Sequence, residues 1–176
     1  MSTDPDTDTR IDPPRQTGER ETLETFLDLY RETVLWKVKG LTEEDLRRVI
    51  VPSGWSPLGM VKHLGYVEQN WFRTRLAGEP DLPVPWTDED PDADFRVEPG
   101  ETTEEILQFY RDQCERSRSI AAAHSFDDLA AQWPEDRPPE KRPNLRWIYV
   151  HMIEETARNA GHLDVVRELI DGTTGE

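Results

Sequence analysis

Apolar positions recur at helical spacing in four stretches of the chain. From about Glu21 to Lys39, Leu23, Phe26, Leu27, Tyr30, Val34 and Val38 fall three or four residues apart and give one apolar helix face, which Gly40 ends. The segment LTEEDL then predicts a short helical turn capped by Thr42. In SPLGMVKHLGYVEQNWFRTRLAG, Ser56 suits an N-cap and Pro57 the first helical position, where its missing N–H costs nothing. Met60, Val61, Leu64, Trp71 and Phe72 form the buried side of this second helix, and Gly78 is its stop. Thr102 and Glu105 have capping-box spacing and open a third helix. A fourth runs through RWIYVHMIEETARNAGHLDVVRELI to about Ile170, with Gly172 past its end.

The stretches between these helices lack such a period. Residues 79–100 carry five prolines, and FDDLAAQWPEDRPPEKRPN is a second proline-rich connection. Long connections of this kind carry a chain from one end of a bundle to the other. With no strand signal and no internal repeat, the expected fold is all-α, a four-helix bundle with two long crossovers. Residues 1–20, rich in Asp, Thr and Pro, predict a disordered or loosely attached acidic tail, leaving 21–172 as the bundle.

The fourth helix breaks the pattern in an informative way. At 100° per residue, Ile148, His151, Glu155, His162, Val166 and Leu169 fall within one narrow sector, with Asn159 at its edge. An unpaired carboxylate facing a core is costly, so Glu155 must be protonated, matched with a partner, or bound to a cation. His151 and Glu155, and likewise Glu155 and Asn159, are four residues apart, close enough to grip one ion. His63, bordering the apolar side of the second helix, is the candidate to supply a further ligand. The plainer alternative is a polar network in which His151 simply hydrogen-bonds Glu155.

Composition narrows the function. The chain has 176 residues, 37 acidic against 21 basic, and a formal charge of −16, which disfavours nucleic acid and anionic membrane as partners. No stretch approaches the ~20 apolar residues of a membrane span, and MSTDPDTDTR has neither part of a signal peptide. A single cysteine, Cys114, cannot form an intrachain disulfide, so a reduced cytoplasm is the expected compartment.

SPLGMVKHLGYVEQNWFRTRLAGE, followed some eighty residues later by HMIEETARNAGHLDVVREL, resembles the DinB-like superfamily. Within that superfamily it is similar to an actinobacterial branch of unknown function related to mycothiol-dependent maleylpyruvate isomerase. The resemblance covers nearly the whole chain after the tail. It implies a four-helix bundle, often a homodimer, holding a divalent ion, zinc or nickel, between the second and fourth helices. It also implies thiol S-transfer or isomerisation with a low-molecular-weight thiol such as mycothiol and a small electrophile. The related isomerase holds its metal with a second-helix His and a Glu-x-x-x-His pair on the fourth. His63 matches the first position and Glu155 the second, but Asn159 stands at the third. A neutral amide is a poorer zinc ligand than imidazole, so affinity should fall or the site be lost. His162 and His151, one turn either side, are candidates to compensate. The rival expectation is a non-catalytic bundle that binds a small molecule or dimerises.

Other signals carry less. Asp90, Asp92, Asp94, Glu98 and Glu101 match a calcium-loop template, but Phe95 stands where that loop needs glycine, so an acidic loop is expected. Cys114 reads as a bystander, Trp71 and Trp147 as core, and Trp86 and Trp133 as candidates for a pocket mouth. His124 is unremarkable at a helix C-terminus. Arg158 and Arg167 are either anion contacts or solvated helix flanks.

Overall fold

Five α-helices account for most of the computed structural model, which describes residue 8 and residues 10–174. The four long ones are α1 (Glu19–Val38), α3 (Pro57–Glu68), α4 (Thr103–Ala122) and α5 (Leu145–Asp171). The expected count of four omits α2 (Glu43–Arg47), a separate helix because the Thr42 hydroxyl accepts from Asp45 N and starts it. Side chains cap the starts of α3 and α4 as their spacing predicts, and that of α5 as well, whereas Gly18 at the start of α1 supplies no side-chain cap. Ser56 accepts from Gly59 N, and Thr102 with Glu105 forms a complete capping box. Asn144 accepts from Trp147 N, and Gly172 closes α5 with a left-handed φ of 76°. Among the described residues the only β pairing is an isolated bridge between Leu129 and Asn144.

α1 packs along α5, and α3 against α4. The buried side chains form two apolar clusters. One gathers Val34, Leu58, Leu64, Ile106 and Leu163; the other Leu27, Phe72, Leu145, Ile148 and Met152. Arg31 on α1 and Glu68 on α3 sit between them in sequence, both almost fully buried. Two parallel bonds of 2.7 Å join guanidinium to carboxylate, and Arg31 Nη1 also donates to Asp28 at 2.9 Å. Satisfied on all sides, this pair is tolerable in a core that would reject either ion alone.

α3 does not stop at Glu68. It continues through Gln69–Leu76 in π-helical turns, with Ala77 N bonding back five residues to Phe72 O at 2.9 Å. Such widened turns are rare and cluster at functional sites. Here they carry Trp71 against α5, its ring 5.4 Å from Trp147 and 4.7 Å from His151.

The first crossover is clamped along one face of α3. Gly59, Lys62, His63, Tyr66 and Gln69 share that face by helical spacing. Gly59 lets the crossover backbone close in, since a Cβ there would lie 2.0 Å from Phe95 O. Lys62 Nζ donates to Arg96 O and to Glu101, both at 2.7 Å; Tyr66 meets Trp86 edge-on; Gln69 donates to Pro83 O. The expected acidic loop is thus an ordered strap in which Asp90 pairs with Arg96 and Glu101 with Lys62.

Of the expected tail, residues 1–7 and 9 lie outside the described residues. Arg10 Nη1 donates to Thr33 Oγ1 at 2.8 Å, and its guanidinium lies 4.3 Å over Trp36.

Candidate functional site

The strap delivers Asp94, a buried carboxylate, to His63 on α3. His63 Nδ1 lies 2.8 Å from Asp94 Oδ2. In the neutral ring, a proton on Nδ1 donated to Asp94 leaves Nε2 with its lone pair; in the charged ring both nitrogens carry protons. The imidazole is also stacked on Phe95, 3.8 Å between ring centres and 15° from parallel. Two adjacent strap residues therefore fix its position and tautomer together.

Nε2 points at α5, where Glu155 Oε1 is 3.6 Å away. That gap is too long for a good hydrogen bond and sets a basic nitrogen against a carboxylate oxygen. Asn159 Nδ2 donates to the same Oε1 at 3.1 Å, and Asn159 Oδ1 is 3.4 Å from His162 Nδ1. Asp94, His63, Glu155 and Asn159 thus form one line from the strap across α3 to α5. Burial of His63 opposes its charged form, but the Asp94 hydrogen bond and the nearby Asp94 and Glu155 carboxylates outweigh it, and its pKa is raised above 6.5. Glu155 moves the other way: the His63 contact lowers its pKa against the cost of burial, with help from the Asn159 amide.

Of the expected stripe on α5 only Ile148 and Val166, with Asn159 at its edge, are buried. Leu145, Ile148, Met152, Thr156, Asn159, Ala160, Leu163 and Val166 are buried, while Leu169 is 65% exposed and His162 is exposed. The core face is rotated by roughly 90° from the stripe at 100° per residue. His151, Glu155 and His162 line its flank, where α5 meets α3 and solvent, and Asn159 is the buried member. Placing the centre of the face by its polar residues produced the error.

Neither compensating histidine joins His63 and Glu155. His151 stacks on Trp147 at 5.1 Å, and its Nδ1 is 3.8 Å from Glu154, not on Glu155. His162 reaches Asn159 and tilts against Trp55. Trp147 is 49% exposed, which corrects its assignment to the core. Cys114 is buried, and burial pushes its thiol well above the ordinary range, as suits a bystander. Arg167 donates to Lys37 O and Lys39 O at the end of α1, and Arg158 sits on an exposed flank near Glu154.

Does this donor set suit zinc or nickel? One feature favours it: a histidine whose Nδ1–H is held by a carboxylate is the usual partner arrangement of a metal-bound imidazole. The count does not. A catalytic zinc takes three strong protein ligands, and here His63 and Glu155 are two, while the third position offers an amide with its NH2 turned to Glu155. Among the described residues no three His, Cys, Asp or Glu side chains converge as a metal set. The residues do not fit a tightly held transition-metal ion.

Asp94 was missed in the sequence because its partner lies on another element and its neighbours resemble a calcium loop. The combination of a glycine at 59 with a histidine one turn on, at 63, was the available hint that a strap lies there.

An all-α bundle with crossovers, carrying a histidine on α3 and a carboxylate on α5 that converge, defines a DinB-like helical bundle. The comparison with protein families agrees with this class. Residues 22–172 match the family described as mycothiol-S-transferase, and the chain belongs to that family. No curated protein matches the chain significantly.

Proposed function

We propose that this protein transfers a low-molecular-weight thiol of the mycothiol type to a small electrophile, with His63 as the group that takes the thiol proton. The observation that carries the reading is the imidazole held between Asp94 and Glu155, its Nε2 lone pair left to accept. The thiol S–H proton passes to Nε2, and Asp94 and Glu155 stabilise the resulting imidazolium. The thiolate electron pair forms the S–C bond while the leaving group departs with its own bond pair. His63 then releases its proton to water. The donor set falls short for a metal, and His63 takes the proton without the help of an ion. The same proposal takes residues 21–172 as the catalytic bundle, acting as a cytoplasmic homodimer.

A non-catalytic bundle is the second reading, favoured by Asn159 at the third position. Mycothiol and monochlorobimane, with adduct fluorescence as the readout, separate the two. The enzyme reading expects a rate above the uncatalysed one that falls by about 100-fold or more in His63→Ala, the usual worth of a positioned base. A native rate equal to buffer, or an undiminished His63→Ala, supports the non-catalytic bundle.

A further inference from the structure

A groove of about 790 Å³ opens where the second crossover folds back beside the N-terminus of α5. Trp71, Trp133 and Trp147 line it. The crossover is pinned in place: Ala131 N and Gln132 N donate to Leu76 O and Arg75 O at the end of the π turns, and Ala130 N to Pro143 O. Trp133 is fixed in turn by its indole N–H, which donates to Pro138 O at 3.2 Å.

The charges around these rings run against the rest of the molecule. Acidic residues outnumber basic ones 37 to 21 in the chain, yet the groove lining holds Arg137, Lys141 and Arg142 against one carboxylate, Glu140. Arg142 is occupied by Ala130 O and Ala131 O. Arg137 and Arg75 lie 5.6 and 5.9 Å from the Trp133 ring centre, and among the described residues neither side chain is paired with a carboxylate. Arg75 feels this directly: burial and the neighbouring Arg137 charge both lower its pKa. Two guanidiniums beside one indole, with no counter-charge, suit an anion that also offers a flat apolar body.

We infer that this groove binds a small aromatic carboxylate, its ring among Trp71, Trp133 and Trp147 and its carboxylate at Arg137, with the Arg75 charge close to the same Trp133 ring. Two of the groove's rings neighbour the candidate site: Trp71 and Trp147 both touch His151, one turn before Glu155 on α5. Trp147 and Glu155 are about 12 Å apart along the helix axis. The ligand is therefore the electrophilic substrate or its non-reacting end; that assignment rests on the thiol-transfer reading, whereas the binding site itself does not.

The test uses 2-naphthoate, the neutral analogue 2-naphthamide, and the full chain. Tryptophan fluorescence quenching reads affinity, and indole N–H NMR shifts locate the ring. The expected result is saturable 2-naphthoate binding with shifts at Trp133 and Trp147, weakened about tenfold in the amide and about tenfold in Arg137→Gln. Arg137 is exposed, so that variant keeps the native melting temperature as a check on folding. No saturable binding, equal affinity for acid and amide, or an unaffected Arg137→Gln overturns the inference. Binding that survives in His63→Ala while adduct formation is lost supports both proposals. Transfer activity without naphthoate binding sinks only this one, and naphthoate binding without transfer activity leaves the site and removes the substrate role.

Discussion

Replacing Asn159 by histidine should turn this site into a metal centre. Asn159 is 7% exposed, sits one turn beyond Glu155, and already touches Glu155 Oε1 at 3.1 Å. Glu155 Oε1 in turn is 3.6 Å from His63 Nε2, a separation two ligands of one zinc can share. An imidazole in place of the amide brings three strong donors together, with Asp94 still holding His63 from behind. The gain is measurable as stability, because an ion that binds only the folded state stabilises it by mass action. With free zinc at about 100 times its dissociation constant, the stabilisation is about 2.7 kcal/mol. For a chain of this size that raises the melting temperature by about 5–11 °C. Scanning calorimetry of tag-free protein with and without zinc, alongside elemental analysis, reads both quantities. The native protein should shift by less than about 2 °C. The double variant Asn159→His, His63→Ala should lose the gain. Stoichiometric zinc in the native protein, lost in His63→Ala, would refute the reasoning by showing that an amide suffices. A folded Asn159→His that takes up no zinc would refute the geometry.

Glu68→Gln removes the buried counter-charge of Arg31, leaving only the half-exposed Asp28 beside it, and should cost about 3–5 kcal/mol. Thermal denaturation should then fall by about 6–20 °C; a loss under about 2 °C would show the pair to be hydrated. The raised pKa of His63 fixes the sign of a pH effect: its stabilisation is complete below the unfolded value near 6.5 and is lost as pH rises through the folded value. Urea titrations from pH 6 upward should show that loss in the native protein and not in His63→Gln; parallel curves would mean that the carboxylates do not hold the ring charged. Glu155, shifted down, acts oppositely, its contribution disappearing as pH falls below 4.5 through the folded value. Gly59→Ala places a methyl group 2.0 Å from Phe95 O and should push the strap away from α3. The His63 ring signals should then lose the Phe95 ring-current shift, and unchanged signals would show that the strap is not held there.

The elements themselves were legible because their signals are local. Ser56–Pro57, the Thr102–Glu105 box and Gly172 mark helix ends through bonds within a few residues, and all three act where their spacing places them. Three things were hidden, each for a physical reason. The π turns over Gln69–Leu76 change the backbone period without changing the composition, so Trp71 looks like a core residue in sequence. The orientation of α5 was misread by about a quarter turn, since a helix with a mixed apolar and polar surface allows more than one face to be taken as inward. Asp94 was hidden most completely, because its meaning comes from a residue on another element.

That last case bears on what kind of site this is. In a metal centre the carboxylate behind a histidine is an accessory, and the ligands in front carry the chemistry. Here the front is incomplete, while the back is built with more care than a vestige would need. Gly59 admits the strap, Lys62 ties it down on the same helix face, Asp94 takes the Nδ1 proton and Phe95 covers the ring. If the site served nothing, the buried Asp94 carboxylate would be a cost that an alanine at 94 could remove. Asp94→Ala discriminates between the two situations. In an idle site it should leave stability level or improved. In a working one it should free the His63 tautomer and lower adduct formation with mycothiol and monochlorobimane even where the fold is unharmed, with Asp94→Glu restoring part of the rate.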